Sequence, residues 1–188
     1  SILMLKDEGY HLQPMKKDRD DFKKIAIVEP NINILKNCIV PLSICEMAYS
    51  KNLNLIKEVY CFGTKHLDQN KVFLEYLRYL NIHKNKITSY ESRFPIYKMF
   101  KDNIANTIVT TQLFNEQNYV YLEALFYKRA LVHNSPLFKD VGYYYPDFDV
   151  IKGADALLDA VENFDQAEHQ DSYEEKLWQM SIYNPKNQ

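Results

Sequence analysis

Apolar positions fall along the chain in short continuous runs, separated by longer stretches with helical spacing. Lys24–Glu29, Lys57–Phe62, Lys86–Tyr90, Asn106–Thr111 and Arg129–His133 each read as a strand, and Gly142–Tyr145 as a sixth. Between and after them, Cys38–Lys51, Asp68–Leu80, Phe94–Lys101, Asn118–Lys128, Gly153–Asn163 and Ser172–Ile182 read as helices. Within Asp68–Leu80 the positions Val72, Leu74, Leu77 and Leu80 carry the helical spacing. Pro41 is compatible with its helix only in the first turn. The strands are apolar throughout rather than alternating, as strands covered on both faces must be. Strand–helix alternation of this kind predicts an α/β fold, a doubly wound, mostly parallel six-stranded Rossmann-like sheet with helices on both faces. Ligands of such sheets sit at the carboxyl ends of the strands, near the point where strand order reverses. The loops after the first, fourth and fifth strands are therefore the ones to inspect.

The ends of the chain differ from its middle. Residues 1–22 are polar, with Lys16–Asp21 all charged, and read as a linker or arm. Residues 23–165 form the expected domain, and 166–188 an amphipathic helix and tail carrying Leu177 and Trp178. A total of 188 residues suits one domain of this kind and is too short for two side by side. The opening residue is Ser1, which points to a chain cut from a longer one.

Charge and cysteine content narrow the function classes. A net charge of −2 implies no broad attraction to nucleic acid or to an anionic membrane. Cys38, Cys45 and Cys61 form no C-x-x-C pair and read as buried reduced thiols, which suits a reducing, cytoplasmic compartment. No run approaches the ~20 apolar residues of a transmembrane helix, and no signal peptide is visible. No cluster of histidine and cysteine has metal-ligand spacing, and no serine or cysteine stands with a base as hydrolases require.

Three loops carry candidate chemistry. The first, Glu29–Asn37, holds Asn31 and Lys36 between a strand and a helix but no G-x-G-x-x-G, so a dinucleotide fingerprint is absent. Lys36 can add a point charge to an anion seat made by backbone N–H groups. Glu46, in the next helix, is either on a narrow wet face or paired inside. The second loop, Gln112–Asn118, opens a helix at about Asn118 whose N-terminus can take a phosphate. Glu123 lies about one turn in, on a face with Tyr119, where a carboxylate can accept from two ribose hydroxyls. The third offers His133, Asn134 and Ser135 at a strand's carboxyl end. The aromatic run Gly142–Asp147 suits either stacking on a ligand or packing at the sheet edge.

This order of elements resembles the C-terminal domain of GT-B glycosyltransferases, which binds the nucleotide of the sugar donor. Asn115–Glu123 has the spacing of that family's E-x7-E element, with Asn115 in place of the first glutamate. The second glutamate commonly holds the ribose there, and the resemblance carries that role to Glu123. The family's glycine-rich turn is replaced by Phe114 and Gln117-Asn118. A closer resemblance is to a little-characterised bacterial family with a GT-B-like half. It rests on Glu29-Pro30-Asn31 with Lys36, Pro41-Leu42 and Glu46; on Asn118-Tyr119 with Tyr121–Leu125; on Leu131–Ser135; and on Gly142–Asp149.

The resemblance implies a donor-binding half of a GT-B enzyme. Its donor would be a nucleoside-diphosphate sugar of the UDP or GDP type, with no cofactor and no required metal. It would pair with an N-terminal acceptor-binding domain or subunit absent from this chain, and turn over little donor alone. Lys36, Asn118 and the N–H groups near residues 117–119 would face the diphosphate, with Asn134 and Ser135 near the phosphates or sugar. Glu123 is then expected on the same side as Lys36 and Asn134. The alternative is a non-catalytic Rossmann-like module that docks on another domain. A response-regulator-like domain is disfavoured, because the third strand ends in Ser89-Tyr90-Glu91 and lacks a phosphoacceptor aspartate.

Overall fold

A computed structural model of the chain describes residues 19–33, 36–114 and 118–180. Six strands run in sequence as β1 (Lys24–Ile27), β2 (Glu58–Phe62), β3 (Thr88–Glu91), β4 (Thr107–Val109), β5 (Ala130–His133) and β6 (Tyr143–Tyr144). They form one sheet in the order β3-β2-β1-β4-β5-β6, and every neighbouring pair is parallel. This is the doubly wound arrangement that the apolar strands imply.

The helices are α1 (Arg19–Phe22), α2 (Ile39–Lys51), α3 (Lys71–Leu77), α4 (Asn81–Lys84), α5 (Ile96–Lys101), α6 (Tyr119–Phe126), α7 (Val150–Asn163) and α8 (Gln166–Gln179). Side chains alternate across each strand, so the sheet feeds two cores. Ile25, Ile27, Val109 and Val132 pack with Leu42, Cys45, Leu77, Leu157 and Ala160 on the α2, α3 and α7 side. Ala26, Ile108 and Leu131 pack with Phe100, Tyr121, Ala124 and Tyr173 on the α5, α6 and α8 side. The three cysteines are buried and free, and burial raises the pKa of each thiol.

The stretch expected as one helix over Asp68–Leu80 is divided. A 3₁₀ turn covers Lys65–Leu67, and α3 begins only at Lys71, where the Asn70 side chain accepts from Phe73 N at 3.0 Å. That cap sets the phase of the helix. Phe73 and Leu77 turn inward, while Val72 is 81% exposed. The separate helix α4 then starts on a foreign cap: Glu46 accepts from Ile82 N at 3.0 Å and from Asn81 Nδ2 at 2.7 Å. Glu46 is thus paired, half-buried, as a tertiary helix anchor.

At the ends, Arg19–Phe22 of the expected arm are helical. The buried Phe22 ring lies 5.1 Å from Phe164, and residues 1–18 lie outside the described residues. The terminal helix begins at Gln166, ahead of the expected Ser172, because the Asp165 side chain accepts from Ala167 N at 2.8 Å. It lies across α6 and is fixed by Tyr173, whose hydroxyl donates to Arg129 O at 3.2 Å, and by Lys176, 2.9 Å from Asp140. No helix among the described residues is long and apolar enough to cross a membrane.

The turn into β6 depends on Gly142. Its φ is +68°, and a Cβ there would stand 2.7 Å from Leu131 O in the neighbouring strand. Gly142→Ala combines a left-handed backbone cost with a backbone clash. It should lower stability by about 2–4 kcal/mol, read from the urea midpoint at an unchanged slope.

Candidate functional site

From β1 the chain winds toward β2 and β3, and from β4 it winds toward β5 and β6. The loops that leave these two adjacent strands therefore part at the carboxyl edge of the sheet and open a crevice. Glu29 follows β1 closely, and Thr110 and Gln112 follow β4. These three buried polar side chains meet beneath the carboxyl ends of β1 and β4. Glu29 is only 1% exposed. Its Oε1 accepts from the Thr110 hydroxyl and from Gln112 Nε2, the latter at 2.5 Å, while Oε2 accepts from no described residue. Desolvation raises the Glu29 pKa from 4.5 to about 7, against the pull of Thr110, Lys36 and Gln112 toward the ionised form.

The end of β4 is tied down from two further directions. The Tyr145 hydroxyl donates to Thr110 O at 2.9 Å and accepts from the Thr111 hydroxyl. Asn134 Oδ1 accepts from Gln112 N at 2.8 Å, and its Nδ2 donates to Gln112 O at 3.1 Å and to Asp147 O at 2.6 Å. Every hydrogen-bonding atom of that amide is engaged, so Asn134 acts as a clamp between loops. His133 is fully buried. The Val141 carbonyl can only accept, so Nε2 carries the proton and donates to it at 2.9 Å, leaving Nδ1 to accept from Ser135 N at 3.2 Å. Desolvation lowers the His133 pKa from 6.5 to about 4 and keeps the ring neutral.

The other sequence-derived candidates belong to the segments after β1 and β4. Asn31 has a φ of 53° and lines a pocket of about 460 Å³ with Asn37, Ile39, Leu67, Phe73 and Tyr76. Lys36 is partly buried, with its N–H held by Asn33 Oδ1 at 3.0 Å, and its charge acts on Glu29. Asn118 caps α6, its Oδ1 accepting from Val120 N at 3.2 Å, and Tyr119 beside it is 77% exposed. Glu123 is half-buried one turn further on, has no side-chain hydrogen bond among the described residues, and has its pKa raised by desolvation. Asn115 lies outside the described residues, as do residues 34–35 and 116–117. A second pocket of about 330 Å³ is lined by Pro30, Gly63, Lys65, His66, Ser92 and Arg93, on the β1–β3 side. No cluster of potential metal ligands occurs among the described residues.

Sequence reasoning missed the floor of the crevice. Glu29, Thr110 and Gln112 stood in the chain as the first polar residues after two apolar strands. The signal was that these strands are adjacent at the reversal point, and adjacency is not written in the chain.

Comparison with known proteins places this geometry. A sequence profile of the family described as "Protein of unknown function (DUF2827)" matches residues 2–188. No functionally curated protein matches. Among solved structures, a mutant of S. aureus TarM in complex with Fondaparinux, alpha-GlcNAc-glycerol and UDP is similar, at a TM-score of 0.66 and 15% identity over 90% of this chain. A second TarM structure follows at 0.64, 15% identity and 89% of this chain. The pneumococcal O-GlcNAc transferase GtfA in complex with UDP and GlcNAc is similar at 0.59, with 13% identity over 88%. The chain spans 34%, 33% and 37% of those three chains, about a third of each. At these identities the likeness is one of fold: the chain shares a Rossmann-like α/β sheet with these structures.

Two measurements follow. Asn134→Ala removes the clamp and leaves the buried Gln112 amide without its partner, and should cost about 2–3 kcal/mol in urea unfolding. Glu29 and His133 pull stability in opposite directions with pH. The raised Glu29 pKa gives a contribution present below about pH 4.5 and lost as pH rises toward about 7. The lowered His133 pKa gives one present above about pH 6.5 and lost as pH falls toward about 4. His133→Gln abolishes the second trend, so this variant should lose ground to the unsubstituted protein as pH rises from about 4 to 6.5, read as urea midpoints.

Proposed function

The chain belongs to the DUF2827 family, and on that premise we propose that it is the nucleotide-sugar-binding half of a GT-B glycosyltransferase. The observation that carries the reading is Glu123: a half-buried carboxylate one turn into the helix after β4, with no partner of its own among the described residues. A carboxylate held this way has lost part of its water without a hydrogen bond from any described residue, which suits a group that takes hydroxyl donors from a ligand. A ribose supplies two adjacent ones. Lys36 from the loop after β1 provides positive charge for a diphosphate, and the start of α6 turns its dipole toward the same edge. UDP accompanies two of the similar solved structures, which supports a uridine nucleotide as the first ligand to try.

In this reading the domain acts by positioning. It fixes the donor and stabilises the leaving diphosphate through lysine and N–H donors, without a required metal. An N-terminal partner domain supplies the acceptor and the base. The exposed rim residues Ile32, Phe114 and Tyr119, at 56%, 91% and 77% exposure on the crevice loops, offer a surface for that partner. They equally favour a second reading, a non-catalytic docking module.

Titration calorimetry with UDP, GDP and their sugars separates the two. The donor-binding reading expects dissociation constants below millimolar for at least one nucleotide, weakened about tenfold or more by Glu123→Ala and by Lys36→Ala. No binding by any of them overturns it and leaves the docking module.

A further inference from the structure

Glu29 has an unusual division of labour between its two oxygens. Oε1 takes both donors that the protein provides, from Thr110 and Gln112. Oε2 takes none from the described residues, and it is not one of the sealed side-chain atoms left without a partner. A carboxylate used only to tie β4 to β1 has no need of its second oxygen. That oxygen keeps an opening toward solvent, while desolvation of the carboxyl as a whole works against its charge. The residue stands where the order of the strands reverses, the place where a doubly wound sheet meets its ligand.

We propose that Glu29 Oε2 is the acceptor for a hydroxyl of the sugar carried by the nucleotide, making Glu29 a specificity-determining residue for the glycosyl group. The inference rests on the donor-binding reading and names which part of the donor lies over β1. An ionised Glu29 repels phosphate, because an anionic oxygen offers it no hydrogen, whereas a phosphate held by the protonated carboxyl would draw a proton in on binding rather than release one. A sugar hydroxyl donates, and its hydrogen bond to an ionised oxygen is of the stronger, charge-assisted kind. The diphosphate then falls toward Lys36 and the start of α6. The charged and titratable groups that act on or respond to Glu29 are few. Lys36 favours its ionised form, while the Cys38 thiol and the Tyr145 hydroxyl both have raised pKa values and stay neutral.

Glu29→Gln isolates the claim. The amide oxygen can keep accepting from Thr110 and Gln112, so only the outward atom changes, from acceptor to donor. Calorimetry on the full chain with UDP-glucose, UDP-N-acetylglucosamine and plain UDP gives the readout, with thermal unfolding to verify the fold. The expected result is a loss of about tenfold for a sugar nucleotide and a change under twofold for UDP. Binding of the sugar nucleotide near pH 6.5 should also release a proton in the unsubstituted protein and not in Glu29→Gln, read from heats in two buffers of different ionisation enthalpy. Both phosphates of a sugar nucleotide are already fully ionised at that pH, so the proton comes from the protein. Equal losses for UDP and its sugars, or none, with no difference in proton release, overturn the proposal. Failure of all three ligands to bind the unsubstituted protein overturns the donor-binding reading instead. Should Glu29→Gln unfold, Glu29→Asp provides the second arm: it keeps a carboxylate but withdraws it by one methylene, so sugar nucleotides should lose affinity while UDP holds, and equal effects on all three ligands overturn the proposal.

Discussion

Two adjacent strands whose chains leave in opposite directions cannot share a continuous covering loop, and this constraint shapes the whole carboxyl edge of the sheet. At β1 and β4 the gap is bridged from below by one buried carboxylate that accepts from both Thr110 and Gln112. Without that bridge the Glu29 carboxyl would stand almost fully buried without a hydrogen-bond donor. With it, the floor is rigid and its remaining acceptor is directed by geometry rather than by a mobile loop.

The ties around the crevice form a connected set. Asn134 grips the backbone of Gln112 on both sides and reaches Asp147, while Tyr145 holds Thr110 and Thr111. These residues come from the ends of β4, β5 and β6, so half of the sheet contributes to fixing a few atoms beside β1. His133, neutral and fully engaged, supports the return of the chain from β5 toward β6. A group of this kind limits how far the loops around it can relax. Glu123, Lys36 and the exposed side chains of Ile32, Phe114 and Tyr119 stand outside this network of hydrogen bonds.

Most of the fold was legible in the chain. The six apolar runs each became a strand, and their lack of alternation announced a sheet covered twice. Helix limits were less legible where a single side chain decides them. Asn70 and Asp165 each start a helix by accepting one backbone N–H, and Glu46 starts α4 from a distant element. The first two are local and were readable in principle from residue type. The third is a contact between residues far apart in the chain, and periodicity carries no trace of it.

By itself the sequence determined which segments are strands, that both faces of the sheet are buried, and which loops hold polar residues. Those properties depend on side-chain size, polarity and spacing along one stretch of chain. Only the tertiary structure decided that β1 lies beside β4, and so that Glu29, Thr110 and Gln112 share one set of hydrogen bonds. It also decided that Asn134 and His133 face inward to clamp loops, with their hydrogen-bonding atoms occupied. A side chain's partners depend on what folding brings within about 3 Å of it, and that distance is set by the packing of the whole sheet.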